Sequence, residues 1–402
     1  MFEVDLDYPA EIHHETADFP LAPEGGEVTE DMFSPYMSSL FTKIAEESGR
    51  SKKYKPCRKL LLTQFNKEAY VCHFTILKFY LNKGLVLREV RRGIRFRQKR
   101  IFAPYIKYNS DRRAQSRNSF EKDFYKLKNN CLFGKTMEDV RKRKNIKLIN
   151  DPNKLEKHVN SPLFHDHHII TEELAAIHMF KPKVVLDKPI YIGQAVLDYS
   201  KLEMYNLYYN ILKPNKLFNK VELLGGDTDS FFLAFHTDAD IGLNDVFSAL
   251  RPYLDSSNYP QDHPLYTSAN KARLGCFKDE AGGRVIEEMI LLKPKMYSFL
   301  VSGGRGIKRA KGISKCIVNQ MGHDIYRDIF RGLTENKVDM TILRSRDHAV
   351  QTVTFEKRAL SAWEDKRCWL DHNASLPHGH FASGVPPPKR RRIAVPPSGD
   401  VL

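Results

Sequence analysis

Long apolar runs are missing from this sequence. The longest, such as those at 287–292 and 231–235, fall far short of the roughly 20 residues that cross a bilayer, so no membrane-spanning helix and no membrane partner are expected. Paired cysteines are missing too. Cys57, Cys72, Cys131, Cys276, Cys316 and Cys368 stand apart, without the C-x-x-C spacing of a zinc site or the density of a disulfide framework, and they read as reduced, mostly buried thiols. The histidines at 165, 167, 168, 372, 378 and 380 match no zinc spacing either. Met1 is followed by Glu3, Asp5 and Asp7 rather than by a basic start and an apolar run, so an intracellular protein is expected. No internal repeat stands out.

What is abundant is positive charge. Sixty-four Lys and Arg against 49 Asp and Glu leave a net charge of +15 in 402 residues that are 42% hydrophobic, enough to bury a large core in two or three subdomains. Such a surplus on a folded body favours a polyanionic partner, with nucleic acid ahead of a membrane surface. Residues 1–30 are acidic, rich in Pro and Gly, and read as an irregular surface passage. Tyr70–Phe74 reads as a strand and Thr75–Leu81 as a helix. Val90, Ile94 and Phe96 alternate with Arg91, Arg95 and Arg97, the period of a half-buried strand whose other face is basic. That face suits a phosphate backbone or simply solvent. Residues 109–143 are helical in composition, with Asn109 or Ser110 as N-cap. Leu202, Tyr205, Tyr209 and Leu212 keep helical spacing up to Pro214, and that helix should pack on a sheet. A proline-flanked basic cluster, PKRRR at 388–392, closes the chain and reads as disordered, with nuclear import as its candidate role.

Three constellations carry chemistry. Val221–Leu224, then Gly-Gly-Asp-Thr-Asp-Ser, then Phe231–Phe235 reads as a β-hairpin that holds Asp227 and Asp229 in one tight turn. Two neighbouring carboxylates repel, and a hard divalent ion such as Mg²⁺ or Mn²⁺ relieves the repulsion. Asp, Thr and Ser are also ordinary turn formers, and a D-x-D metal site occurs in nucleotide-sugar glycosyltransferases as well. On a helix, Lys126, Asn130 and Phe133 fall at i, i+4 and i+7 and present a cation, an amide and a ring in one stripe, suited to a nucleotide or to a helix anchored by Phe133. Lys293-Pro-Lys295-Met-Tyr297 follows an apolar run. A strand with Lys295 and Tyr297 on one face would grip a phosphate and a sugar, while Lys308, Arg309 and Lys311 add charge that could track a duplex or remain solvated.

In this order the three constellations resemble the active site of family B DNA polymerases. Lys126 to Gly134 is similar to the K-x3-N-S-x-Y-G fingers motif, with Cys131 and Phe133 in the Ser and Tyr places. Asp227-Thr-Asp-Ser230 resembles the D-T-D-S palm motif, and Lys295-Met-Tyr297 the K-x-Y motif. The stretches FEKDFYKLKNNCLFGKTMEDVRKR, KPIYIGQAVLDYSK and FEKRALSAWEDKRCWLDHNASLPHGHF are similar to the protein-primed-type polymerases of Maverick (Polinton) transposons and related viruses and plasmids. The resemblance spans about residues 1–381.

It implies an α+β, right-handed palm, fingers and thumb fold, with an antiparallel palm sheet backed by helices and no exonuclease domain. The expected division is 1–108 for the N-terminal part of the palm, 109–145 for the fingers, 146–285 for the palm with an insertion and the DTDS hairpin, 286–381 for the palm end and thumb, and 382–402 for a disordered basic tail. It implies template-directed addition of deoxynucleotides to a primer 3′-hydroxyl, with a DNA template-primer and dNTPs as partners and Mg²⁺ or Mn²⁺ as cofactor. A terminal protein primer is left open. Asp227 and Asp229 would hold the metal; Lys126, Asn130, Phe133, Gly134, Arg113 and Arg117 the nucleotide; Lys293, Lys295, Tyr297, Lys308 and Lys311 the primer and DNA. The fingers should be two short helices broken near Asn118-Ser119, because one continuous helix would put Arg117 and Lys126 on opposite sides.

Two departures stand out. Where the family usually has Tyr, two residues before the first Asp of the palm motif, this chain has Gly225, expected to remove a primer contact and loosen the hairpin. The family's other metal-binding Asp lies in a D-x-N-N-L-Y-G segment absent from this sequence, and Asp5, in Val4-Asp5-Leu6-Asp7-Tyr8-Pro9, reads as a surface acid rather than its substitute. Poor catalysis by this chain alone is therefore expected. A catalytically dead DNA- or nucleotide-binding remnant of a transposon polymerase is the alternative; a glycosyltransferase fits neither the basic surplus nor the lysine motifs.

Overall fold

The computed structural model describes residues 1–385 other than 50, 52, 272, 274, 304, 305, 347 and 348, so the basic cluster at 388–392 lies outside the described residues. The architecture is mixed α+β, with several small antiparallel sheets. Contacts divide the chain into two units: Met1–Ile94, Lys201–Lys337 and 358–385 form the first, Arg95–Ser200 with Val338–Lys357 the second. The stretch expected as fingers lies inside the second unit, and the DTDS hairpin inside the first. Among the described residues no helix is long and apolar enough to cross a membrane.

The first unit opens on β1 (Phe2–Asp7), not on an irregular passage, because Val4 and Leu6 alternate into a core that excludes water from both. A short pair, β2 (Glu24–Gly26) and β3 (Lys59–Leu61), flanks α1 (Pro35–Glu47). Ser34 caps α1 by accepting from Met37 N, and its apolar face of Met37, Leu40, Phe41 and Ile44 packs on Tyr54 and Trp363. Next come β4 (Lys67–Cys72), α2 (Phe74–Asn82) and β5 (Val86–Gly93), and the sheet order is β4-β1-β5. Here the sequence reading needs correction. β5 is an edge strand, exposed along its whole length, and it stops at Gly93, before Ile94 and Phe96. Its arginines are not a free basic face: Arg92 pairs with Glu3 at 2.6 Å, and Arg91 and Arg88 both reach Asp5.

Asp5 is likewise no surface acid. It is 2% exposed, takes Arg91 at 2.8 Å and Arg88 at 3.2 Å, and accepts the backbone N–H of Ala69 at 2.8 Å. The Arg91 hydrogen bond outweighs the opposing effect of burial and holds its carboxyl at about 2, well below the usual aspartate range. A depressed folded pKa means that the contribution is full above the unfolded value and is lost as pH falls through the folded one, here between about 4 and about 2. Asp5→Asn is expected to lower stability at pH 7 by about 2 kcal/mol, the range of a hydrogen bond to a charged group. Urea unfolding from pH 7 to pH 2 checks this: the gap between wild type and variant should close toward pH 2.

The second unit begins with α3 (Ala103–Ala114) and α4 (Ser119–Thr136), followed by the sheet β6-β8-β7 (Asn145–Ile149, Leu174–Met179, Phe164–Thr171) with α5 (Pro152–Val159) laid on Ile149, Ile177 and Met179 through Leu155. α3 starts at Ala103, so Asn109 is not a cap. It is buried in the helix and donates to the Tyr105 carbonyl at 3.0 Å.

Helix α6 (Ile190–Asn206) leads back into the first unit and passes into a π-helical turn over Leu207–Leu212. The wider turn brings both Tyr208 and Tyr209 inward beside Tyr205, and all three join the core built on Val4, Leu6 and Tyr80. Buried phenols need partners. Tyr205 donates to Pro20 O at 2.6 Å, Tyr209 to Phe19 O at 2.6 Å and Tyr208 to an Asp18 carboxylate oxygen at 3.0 Å. This layer carries β9 (Lys220–Gly226) and β10 (Phe231–His236), whose Val221, Leu233 and Phe235 complete the same core. The remaining elements are α7 (Leu243–Leu250), the sheet of β11 (Ile286–Lys293), β12 (Met296–Val301) and β13 (Ile307–Ala310), the helices α8 (Lys315–Gln320) and α9 (His323–Gly332), and the paired strands β14 (Glu335–Arg346) and β15 (Ala349–Ser361). Residues 381–383 form a 3-10 turn and Val385 packs on the Val28 cluster, so order extends past 382, where the tail was expected to begin.

Candidate functional site

The acidic turn sits at the tip of an antiparallel hairpin. Phe231 pairs with Gly226, and the chain closes through Asp227 N to Ser230 O at 3.0 Å and Asp229 N to Asp227 O at 2.7 Å. Thr228 adopts φ +63°, a left-handed conformation uncommon for a side-chain-bearing residue, and its Oγ1 donates to Asp227 Oδ1 at 3.1 Å. Thr228 and Ser230 therefore do act as turn formers: Thr228 fixes the Asp227 carboxylate, and Ser230 Oγ donates to the Asp227 backbone carbonyl at 3.3 Å. Asp229 is exposed.

β9 continues through Gly226, but its pairing slips by one residue between Phe232 and Leu233, beside Gly225, and a Cβ at position 225 would lie 2.3 Å from Leu291 Cδ2. The hairpin backbone approaches β11 where a tyrosine would need space, so Leu291 occupies the place of that ring.

The third constellation meets this turn. Lys295 is not on a strand face beside Tyr297, as alternation implied; it lies in the two-residue turn between β11 and β12, at φ +66°, after Pro294. Pro followed by a residue at positive φ is the pattern of a type II turn, whose second central place favours Gly. From there its Nζ reaches Asp227 Oδ1 at 2.7 Å. Tyr297, on β12, packs edge-on against Phe232 of the hairpin with ring centroids 4.7 Å apart, and burial raises its hydroxyl pKa. Two motifs far apart in sequence thus converge on one carboxylate.

The other lysines of that set are committed elsewhere. Lys293 turns into the fold, its Nζ 3.5 Å from the Trp363 carbonyl, and burial lowers its pKa despite the nearby Glu364. Lys308 donates to the carbonyls of Asn319 and Met321 and so caps α8. Lys311 is exposed, and its backbone N–H donates to Lys295 O at 3.0 Å, which ties down the turn.

The fingers-type residues all lie in the second unit. α3 ends at Ala114 and α4 begins at Ser119, which is the expected break. Its cause is local: Asn118 caps α4 by accepting from Glu121 N at 2.9 Å, while the Glu121 carboxylate accepts from Arg117 N, just before the cap, at 3.1 Å. Arg113 is on the last turn of α3, whereas Arg117 falls in the break, so the two do not share one helix face as i and i+4. Lys126 and Asn130 are exposed, Phe133 is half-buried, and open space surrounds the position of a Cβ on Gly134. A cavity of about 360 Å³ in the same unit, edged by Asn145, Lys147, Lys157, His158 and Phe180, has no signal in the sequence, because it arises where α5 meets the sheet.

As a metal site the turn supplies oxygen donors alone, the donor type a hard divalent ion takes. Among the described residues no group of three or more His, Cys, Asp or Glu is placed to hold a metal. Asp227 and Asp229 would therefore share such an ion with ligands from a substrate. No protein-family model, no curated protein and no solved structure matches this chain.

Proposed function

We propose that this chain is the palm, fingers and thumb region of a family B, protein-primed-type DNA polymerase that adds deoxynucleotides to a primer 3′-hydroxyl. The observation that carries the reading is the meeting of the Asp227 turn with the Lys295 turn at 2.7 Å. An acidic turn alone suits many folds. An acidic turn bridged to a lysine whose own turn would be more stable with Gly is a functional arrangement, since backbone strain persists where side-chain chemistry requires it.

In this reading the first unit is palm and thumb and α3–α4 are the fingers. Asp227 and Asp229 hold Mg²⁺ or Mn²⁺; when bound, the ion supplies Lewis-acid stabilisation of the phosphoryl group and eases deprotonation of the primer hydroxyl. Lys295 orients Asp227 and meets the primer end together with Tyr297. Lys126, Arg113 and Arg117 bind the triphosphate, Asn130 and Phe133 the sugar and base, and exposed Gly134 leaves room for the nucleotide. The partners are a DNA template-primer and dNTPs, with a terminal protein primer left open, and the work is intracellular, in the nucleus where the basic cluster acts as an import signal.

A second reading, binding of DNA or nucleotide without chemistry, has one observation in its favour: among the described residues no group of three or more His, Cys, Asp or Glu is placed to hold a metal. Primer extension on a recessed template separates the two. Template-directed incorporation that requires Mg²⁺ or Mn²⁺, however slow, supports the polymerase. DNA binding without any incorporation in either ion supports the second reading, and absence of DNA binding sinks both.

A further inference from the structure

We propose that the α3–α4 hairpin is a single-stranded DNA platform, on which Phe120 and Phe124 stack unpaired bases while neighbouring lysines and arginines follow the backbone. The charge of the protein is concentrated here: residues 95–144 hold 16 Lys and Arg against 5 Asp and Glu, a surplus of 11 out of the whole chain's 15. Within this basic stretch the rings face water. Phe120 is 78% exposed, Tyr108 54%, and Tyr105 and Phe124 43% each. Leaving a Phe side chain in solvent forgoes the stabilisation that burial gives, and α4 does so repeatedly, with Thr136 its one buried residue.

The rings are arranged as well as exposed. Phe120 and Phe124, one helical turn apart, lie nearly parallel, 12° between planes and 6.4 Å between centroids. Lys128 Nζ stands 4.9 Å from the Phe124 ring, and the Arg112 guanidinium 5.5 Å from the Tyr108 ring. Phe124 and Tyr108 thus each have a cation within reach of the phosphate that would accompany a stacked base. Aromatic faces interleaved with cations are how proteins hold single strands without reading sequence. A duplex does not fit, because its base faces are covered by their neighbours. A protein partner fits poorly, because interface cores are depleted of charge. The identity of the strand, the unpaired template ahead of the primer, rests on the polymerase reading; the platform itself rests on the charge and the rings.

The test is fluorescence anisotropy of the full chain with a labelled single-stranded oligodeoxynucleotide and a blunt duplex of equal length. Phe120→Ala with Phe124→Ala should raise the single-strand Kd at least about tenfold, since base–aromatic stacking is worth 1–3 kcal/mol per base. The duplex Kd should stay within about twofold, and Trp at both positions should restore single-strand binding. Exposure of both rings predicts unchanged thermal unfolding, which controls for folding. An unchanged single-strand Kd, or an equal loss on the duplex, overturns the platform. A wild-type chain that incorporates nucleotides but is indifferent to the two alanines would retain the polymerase reading and lose the platform; a chain that never incorporates but loses single-strand binding would do the reverse.

Discussion

Replacing Asp227 with Ala is expected to reduce divalent-dependent nucleotide incorporation by roughly 10²- to 10³-fold or more, the scale on which loss of one preorganised electrostatic contact slows group transfer. The carboxylate is held from three sides: Thr228 Oγ1 donates to Oδ1, Lys295 Nζ approaches the same oxygen at 2.7 Å, and the turn hydrogen bond from its own N–H to Ser230 O fixes the backbone. Its removal takes away a hard oxygen donor and leaves the Lys295 ammonium facing the site uncompensated. Asp229, exposed and without that ion pair, should lose less on the same change. Folding should hardly respond, because a pair whose lysine is 45% exposed is worth about 0–1 kcal/mol.

Lys295→Gly sharpens the same experiment. At φ +66° Gly is the relaxed residue, so the variant should be as stable as wild type or more so by up to about 1 kcal/mol. Incorporation should nevertheless fall, through loss of the ammonium that orients Asp227. Stability from thermal unfolding and initial rates from primer extension would give the two readouts. Full activity in Asp227→Ala would remove this turn from the chemistry, and full activity in Lys295→Gly would reduce the ion pair to a surface contact.

Gly379→Ala is expected to destabilise the first unit by about 3 kcal/mol, the sum of a left-handed backbone penalty and a steric shift. Gly379 has φ +91°, and a Cβ there would stand 2.8 Å from Phe65 N and 2.9 Å from Gln64 C. Those atoms are backbone and cannot rotate away. The segment around it is stitched to the start of the chain: Gln64 N donates to His378 O at 2.8 Å, Phe381 N to His13 Nδ1 at 3.1 Å, and His378 Nε2 lies 2.9 Å from Asp365 O. Moving Gly379 therefore disturbs residues 13, 64 and 365 together. Chemical denaturation of the variant checks the loss; a midpoint unchanged from wild type would mean that the segment yields without cost.

Local signals in the sequence were strong enough to define several elements outright. The hairpin around Asp227, the helical spacing of Leu202 to Leu212 and the break before Ser119 all depend on residues within a few positions of each other, and each is present. The break is the clearest case, because Asn118 accepts from Glu121 N and Glu121 accepts from Arg117 N with no help from the rest of the fold. The α+β class, which the resemblance implied, agrees with the helices and small antiparallel sheets present.

Side-chain direction was not legible. Asp5 and Lys293 are charged residues that water would normally keep, yet Asp5 lies inside because Arg88 and Arg91 come to it across a strand pair, and Lys293 because the Trp363 segment closes over it. Lys308 looked like a DNA contact until the end of α8 arrived beside it with carbonyls to satisfy. The arginine face of β5 failed likewise, because only the sheet order shows that this strand is an edge with acids on its neighbour. By itself the sequence determined the acidic turn, the capped helix pair and the excess of positive charge. Tertiary structure alone decided that Lys295 reaches Asp227 from a turn, that Leu291 fills the space beside Gly225, and which arginines remain free for a polyanion, because each of those outcomes depends on partners that only folding brings within bonding distance.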